Sequence, residues 1–444
     1  MFVYFCIYII LTIYILLYKY KMLKNKYVNA LVNFVNENKN NFKEILTKKP
    51  YNLKNIRNCI YHQNWYMFNY HLCSSDLKND IVRACRGIVL SIDENGIKPI
   101  SVPYTKFFNY GAEAGKDIED LINWSNAKIS MKIDGMLLKT ACIEEDGEKR
   151  LYFFTNGSFN LGVPFLDTNV YDEEETRGMQ TFGDLLRYAL KQVDDSIKIF
   201  FNKDLGRFYI TNGWVEKIPA GSTLMFELVS PRNKIICEYK KTKLYLHGYR
   251  DPDLIEHDPR ELSFGLKFEI PDILNASNYE DLKKILANFN GIEKEGCVVV
   301  DYSNPETPRA KIKCESYLKI KFANDESANN QTLFKAVIFD EYDDLESSEP
   351  SLIPKIEEIK DMITKYKQWF ISESKKVSEV CKGNNDKENK RIWIMWCKKN
   401  VPKQQFPIYW LMDESDALVR LEKKLEYLTT KKNGYETFKK SLPW

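Results

Sequence analysis

The feature that most narrows what this chain can become is a change of hydrophobic period near residue 326. Between about residues 80 and 325, apolar residues come in short runs rich in β-branched and aromatic side chains: RGIVLSID, MLLKTACI, RLYFFTNG, GRFYITNGW, TLMFELVS, KLYLHGY, GCVVVDYS and RAKIKCES. Turn-forming residues separate them, which predicts short strands. TFGDLLRYALKQV interrupts the series with the three-to-four spacing of a helix, and residues 29 to 47 predict an amphipathic helix with Ala30, Leu31, Phe34 and Val35 on one side. Beyond residue 326 the helical period takes over, at Ile353, Ile356, Ile359, Met362, Ile363, Tyr366, Trp369 and Phe370. The acidic, turn-prone DEYDDLESSEP marks a boundary between 326 and 350. The expected architecture is therefore α+β followed by an all-α C-terminal domain, divided as 22–330 and 331–444.

Composition removes several function classes. With 444 residues, 44% of them hydrophobic, the chain can bury one large core or two ordinary ones. A net charge of +3 leaves any nucleic-acid binding to local patches. The ten cysteines show no CxxC pair and no histidine at ligand spacing, which argues against a zinc site or a disulfide framework and for reduced thiols in the cytoplasm. The four histidines, His62, His71, His247 and His257, are scattered, so neither a histidine-based triad nor a histidine-ligated metal is expected. Phe2 to Tyr18 is almost wholly apolar and precedes Lys19, Lys21, Lys24 and Lys26. As a helix it would reach about 26 Å, slightly short of a bilayer core of roughly 30 Å. Residues 1–21 thus read either as an N-terminal membrane anchor, its lysines holding the remainder in the cytoplasm, or as a leader upstream of a start at Met22.

Charges inside the strand runs point to chemistry. Lys311 and Lys313 are two apart, so they share one strand face while Ala310 and Ile312 occupy the other. Glu227 shares a face with Val229, opposite Phe226 and Leu228, and Glu295 stands just before a β-branched run. A solvated sheet face would explain any one of these. Their coincidence in one domain predicts a polar cleft, because half-buried charges need partners. Lys132 and Asp134 lie in KIDGML, whose K-x-D-G is weak evidence alone and equally suits a turn. Beside Lys311 and Lys313, however, the Lys132 amine would have a lowered pKa, as a nucleophile requires. Asp134 would orient the amine or help hold a metal, and Gly135 would let the backbone pass close to a ligand.

The ordered series RACRGIVL, KFFNYG, KIDGML, FELVSPRNKII, EGCVVV and KIKCESYL resembles the signature of covalent nucleotidyltransferases, and is most similar to the phage-type RNA ligase 1 family of ATP-dependent RNA ligases. The resemblance covers about residues 80 to 320. It implies a nucleotidyltransferase domain of two antiparallel sheets with flanking helices. It further implies that Lys132 attacks the α-phosphate of ATP to give lysyl-AMP, that AMP passes to an RNA 5′-phosphate, and that a 3′-hydroxyl then displaces it. On the same resemblance, Arg86 and Lys106 neutralise the β- and γ-phosphates and Lys311 and Lys313 hold the α-phosphate. Glu227 contacts the nucleoside, and Glu295 binds a divalent metal, Mg2+ being the hard cation that suits carboxylates and phosphates.

One position departs from the resemblance. In YFFTNGSF, Asn156 stands where the family segment usually has lysine, so a phosphate contact there would be weaker and sealing slower. Lys149 and Arg150 are the nearby cations that would compensate. In the C-terminal region, KRIWIMWCKKNVPKQQ mixes Trp393, Trp396, Lys398 and Lys399, which suits RNA but also the core of a small helical domain. By resemblance this region takes part in choosing tRNA or another structured RNA. No GxxxxGK[ST] loop occurs, so a separate kinase or phosphatase is expected to prepare the RNA ends. Two rival readings are a DNA ligase or GTP-using capping enzyme, which normally carry an oligonucleotide-binding barrel after the catalytic domain, and a catalytically inactive, membrane-tethered RNA-binding protein.

Overall fold

The computed structural model describes residues 25–442 apart from 71–74, 113–114, 166, 168–172, 263–264, 266, 323–329, 339–341, 343–351, 382–390, 392–394, 396–420, 422–423 and 432. The apolar run Phe2 to Tyr18 and the Trp393 and Trp396 cluster lie outside the described residues, as does all of DEYDDLESSEP except Tyr342. Among the described residues, no helix is long and apolar enough to cross a membrane.

The predicted helix over 29 to 47 forms as two pieces, Lys26–Glu37 and Phe42–Leu46. The break falls on Asn38, Lys39, Asn40 and Asn41, where asparagine side chains compete for backbone groups. Asn25 caps the first piece by accepting from the Val28 amide at 3.0 Å, and the Asn38 amide donates to the Phe34 carbonyl at 2.8 Å. Strands begin earlier than residue 80. Four form an antiparallel sheet in chain order, β1 (Leu53–Asn58), β2 (Trp65–Tyr70), β3 (Arg86–Asp93) and β4 (Gly96–Ser101). The polar sequence of β1, LKNIRN, hides its strand character because only Leu53 is buried.

Eleven further strands follow in two antiparallel sheets. They are β5 (Lys128–Lys132), β6 (Met136–Glu145), β7 (Glu148–Thr155), β8 (Lys198–Asn202), β9 (Arg207–Thr211) and β10 (Thr223–Val229). Then come β11 (Lys243–Arg250), β12 (Glu256–His257), β13 (Ile273–Leu274), β14 (Gly296–Val300) and β15 (Arg309–Lys313). The larger sheet runs β12-β11-β10-β6-β7-β9-β8, and the smaller runs β13-β5-β14-β15. The α+β class therefore holds. Two antiparallel sheets carry the predicted charges, and the N-terminal sheet is a third. Helix Phe182–Val193 starts at a capping box, in which Thr181 and Asp184 each accept the other's amide at 3.2 Å.

Each large sheet turns one face into a core of its own, and the seven-stranded sheet buries part of its other face, at Ala141, Tyr152 and Phe154, under the N-terminal sheet. Phe226 and Leu228 of β10 join Leu138, Leu185 and Leu190 in one core cluster, and Ala310 and Ile312 of β15 join Cys297 and Val299 in another. The alternation read from the sequence is thus the real division between core and cleft. The described cysteines Cys59, Cys85, Cys142, Cys237, Cys297 and Cys314 are free and buried. The C-terminal helices have a core of their own. Ile356, Ile359, Ile363, Tyr366 and Phe370 of helix Ile353–Cys381 pack with Phe334 and Phe438, while Met362 and Trp369 are partly buried against the same cluster. Helix Asn330–Ile338 already belongs to this cluster.

Candidate active site

The two wet faces enclose a cavity of about 380 Å³, lined by Lys132 of β5, Leu137 of β6, Glu227 of β10, His247 of β11, and Arg309, Lys311 and Lys313 of β15. Arg86 and Lys106 complete its cationic wall, beside the neutral Asn156. Register explains the convergence. Gly296 pairs with Lys132 on one side and Lys313 on the other, so three adjacent strands deliver both lysines to the residue after Glu295. Gly296 has φ +150°, and a Cβ there would stand 2.1 Å from the Ile312 carbonyl oxygen, so only glycine fits this pinch.

Glu295 is 2% exposed and sits between the two cations: its carboxylate accepts from Lys132 Nζ at 2.6 Å and from Lys313 Nζ at 3.0 Å. Burial pushes its pKa up, but the two lysines more than reverse this and hold it below the ordinary glutamate value. For Lys132, burial favours the neutral amine, yet Glu295 overrides both burial and Lys313 and raises the pKa. This corrects the sequence-based expectation of a lowered value. The sequence showed the two cations; it did not show that a carboxylate stands between Lys132 and Lys313.

Asp134 is buried behind the lysine. Its Oδ2 accepts from the Ile236 and Cys237 amides at 2.9 and 2.8 Å, and its Oδ1 accepts from the Tyr317 hydroxyl at 3.2 Å. Burial, then the charge of Glu295, raises its pKa. It pins the segment after β10 to the β5–β6 connection. Gly135 permits a close approach, but to β10: a Cβ there would be 2.6 Å from the Leu228 carbonyl oxygen. Neither Asp134 nor Gly135 lines the cavity.

KFFNYG docks on the edge of β15, where the Lys311 amide donates to the Phe108 carbonyl at 3.0 Å and the Tyr110 amide to the Lys311 carbonyl at 2.9 Å. This brings Lys106 beside Lys311 and places Phe107 under the Arg86 guanidinium, 5.2 Å away. Arg86 Nη1 is buried without a hydrogen-bond partner. A buried, unsatisfied cationic donor in a cavity is costly unless an anion answers it.

Several cavity residues escaped sequence reasoning. Arg309 shares the face of Lys311 and Lys313, a signal present in RAKIKC; it pairs with the buried Glu256 and lies 3.9 Å over the Tyr104 ring. The Tyr104 hydroxyl reaches His247 Nδ1 at 2.9 Å, and His247 Nε2 faces Glu227 at 3.4 Å. Lys139 is buried in β6 with its amine 3.2 Å from the Asn156 carbonyl, which also accepts from Asn69 at 3.0 Å. Burial, then Arg86, drives the Lys139 pKa well below that of an ordinary lysine. Lys149 donates to the Glu216 carbonyl at 2.7 Å and Arg150 to Glu145 at 2.8 Å, near the β6–β7 turn, and neither lines the cavity. Lys139, and not these two, is the amine beside Asn156.

A family model described as RNA ligase matches residues 84–326, the stretch that builds this cavity from Arg86 to Lys313. The chain belongs to the T4 RNA ligase 1 family. It is also 27% identical, over 295 residues and 64% of its length, to a protein of Autographa californica nuclear polyhedrosis virus named as a bifunctional polynucleotide kinase/RNA ligase. The match spans 38% of that viral protein. Family membership supports RNA ligation as the general activity of the matched region, residues 84–326.

Proposed function

We propose that this RNA ligase family member is an ATP-dependent enzyme that joins RNA 5′-phosphate and 3′-hydroxyl ends through lysyl-AMP and RNA-adenylate. The observation that carries this reading is the Lys132–Glu295–Lys313 triad, whose two lysines line a cavity walled by Arg86, Lys106 and Lys311 while Glu295 lies buried behind them. Lys132 is the nucleophile. Its nitrogen forms a bond to the α-phosphorus of ATP as the bond to the pyrophosphate oxygen breaks; the AMP then passes to an RNA 5′-phosphate oxygen and leaves when the 3′-hydroxyl attacks.

The Lys132 amine must be neutral to attack. Separating it from Glu295 removes the larger of the two carboxylates that raise its pKa and leaves burial and Lys313, which favour the free amine, against Glu227 alone. Lys311 and Lys313 would bind the α-phosphate, Arg86 and Lys106 the departing phosphates, and Glu227 the ribose. Positioning and charge neutralisation provide most phosphoryl-transfer catalysis, which accounts for a cavity built from cations. Asp134 acts as a positioning residue. Among the described residues no group of three His, Cys, Asp or Glu side chains forms a metal site, but Mg2+ is typically held by one or two carboxylates together with substrate phosphates. Glu295, whose two oxygens already engage two cations, fits that donor set, and Mg2+ bound there would supply neutralising charge at the phosphate oxygens.

The native substrate is proposed to be a broken RNA such as tRNA, with the helical C-terminal domain (331–444) assisting its selection and a separate kinase or phosphatase preparing its ends. The enzyme is proposed to act in the cytoplasm, tethered to a membrane only if residues 1–21 are retained. The test is to incubate the protein with Mg2+ and ATP or GTP labelled at the α-phosphate. Acid-labile label from ATP, followed by joining of RNA in preference to DNA, supports the proposal. Label from GTP indicates capping chemistry, and no label from either indicates an inactive binding protein.

A further inference from the structure

A second groove lies at the far edge of the seven-stranded sheet. It has a volume of about 550 Å³ and wraps around the terminal strand β8, lined by Arg187, Lys191, Phe200, Arg207 and Tyr209 among others. Phe200 is 41% exposed, which is unusual for a large ring on a sheet edge, and it stacks on Tyr209 at 4.7 Å and 9°. Arg207 lies 5.6 Å over the same tyrosine. Arg187 and Lys191, one turn apart on helix Phe182–Val193, reach the groove from the opposite face of β8, where Arg187 lies 5.3 Å over the Phe201 ring, and Arg187 Nε is buried with no hydrogen-bond partner. No Asp or Glu lines the groove among the described residues.

Strand register places this groove and the active site on the same face of the sheet, at separate openings. Phe200 pairs with Tyr209, Tyr209 with Tyr152 and Tyr152 with Ala141, so all lie on one face of the sheet. Ala141 is four residues beyond Leu137, which pairs with Glu227, so the cavity opens on the same face, but between the two sites that face is covered by the N-terminal sheet, whose Trp65, Met67 and Val89 pack on Ala141, Tyr152 and Phe154. From β8 to β10 is four strand spacings, about 19 Å at roughly 4.8 Å each.

We propose that the Arg187–Lys191–Phe200–Arg207–Tyr209 groove binds a single-stranded segment of the RNA substrate, with bases stacked on Phe200 and phosphates on the three cations. Exposed rings interleaved with unopposed positive charge are what a single strand requires, since every base offers a stacking face and every phosphate a negative charge. A second copy of this chain is the competing occupant of an exposed edge strand. Charge argues against it, because symmetric pairing along β8 would set Arg187, Lys191 and Arg207 against the same cations of the other copy.

The inference rests on RNA being the substrate, and its test separates the two. Binding of the full chain to a fluorescent single-stranded oligoribonucleotide is measured over a range of salt, alongside self-adenylation from labelled ATP. Phe200→Ala is expected to weaken RNA binding about tenfold through loss of a stacked base. Lys191→Gln is expected to weaken it too and to reduce the slope of log K against log salt by about 0.7. Both variants should adenylate Lys132 at the wild-type rate. RNA affinity unchanged in both, or undetectable in the wild type, overturns the groove assignment. A Phe200→Ala change in sedimentation without a change in RNA binding also overturns it, in favour of self-association. Loss of adenylation in the wild type would instead refute the proposed function.

Discussion

Replacing Glu295 by Gln tests the physical centre of the site. The substitution keeps the shape and deletes the charge, leaving Lys132 and Lys313 as neighbouring ammonium groups around a neutral amide. Removing one partner of a buried ion pair costs about 3–5 kcal/mol, because the other charge remains desolvated. The Lys132 side chain is 24% exposed, so water screens part of the loss and the lower end of that range, about 3 kcal/mol, is appropriate. The family-matched region runs from 84 to 326, roughly 240 residues. At about 2.1 cal/mol/K per residue its unfolding entropy is about 0.5 kcal/mol/K, so the melting temperature should fall by about 6 °C. Calorimetry on the full chain measures this. Glu295 has a depressed pKa in the folded state, so its stabilisation is present above the unfolded carboxylate pKa of about 4.3 and is lost as pH falls through the folded value. The gap between wild type and variant should therefore close in acid. Freed of Glu295, Lys132 should also titrate lower, as followed by NMR of the labelled lysine. A variant that melts within about 1 °C of wild type at pH 7, with the Lys132 titration unmoved, would refute the argument that this carboxylate holds the two amines.

Three further outcomes are expected. Lys132→Arg should abolish AMP capture from labelled ATP, because a guanidinium stays protonated; retained labelling removes Lys132 as the nucleophile. Lys139 has a strongly lowered pKa, so the unfolded chain binds more protons than the folded one between that value and about 10.4, and stability should rise with pH across this window. Melting temperatures of Lys139→Met relative to wild type should show the wild type gaining as pH rises, and a parallel profile would mean that Lys139 is charged where it sits. Asn156→Lys, adding an amine at the cavity wall, should speed adenylation or sealing in single-turnover assays; no gain in either argues against a phosphate contact at that position.

The sequence alone fixes which residues could face a cleft. Period-two alternation in AKIKC and MFELVSP separates Lys311, Lys313 and Glu227 from Ala310, Ile312, Phe226 and Leu228, and the structure keeps that division because an extended chain must alternate its faces. The resemblance carried by the ordered motifs foretold the family as well. The early strand β1 was hidden because one buried leucine leaves no alternation to read, and the helix over 29 to 47 was too long because asparagine capping is a local competition that the apolar pattern does not register.

What only the tertiary structure decides is who stands next to whom. Glu295 lies 163 residues from Lys132 along the chain, yet their separation of 2.6 Å reverses the expected direction of the lysine's pKa. Lys139 and Asn156 meet because β6 and β7 pair, while Lys149 and Arg150, closer in sequence to Asn156, are carried to the other end of the same hairpin. Strand alternation is a local property of the backbone and can be read in one dimension; the field at an ionisable group is set by distances across strands, which exist only once the sheets have paired.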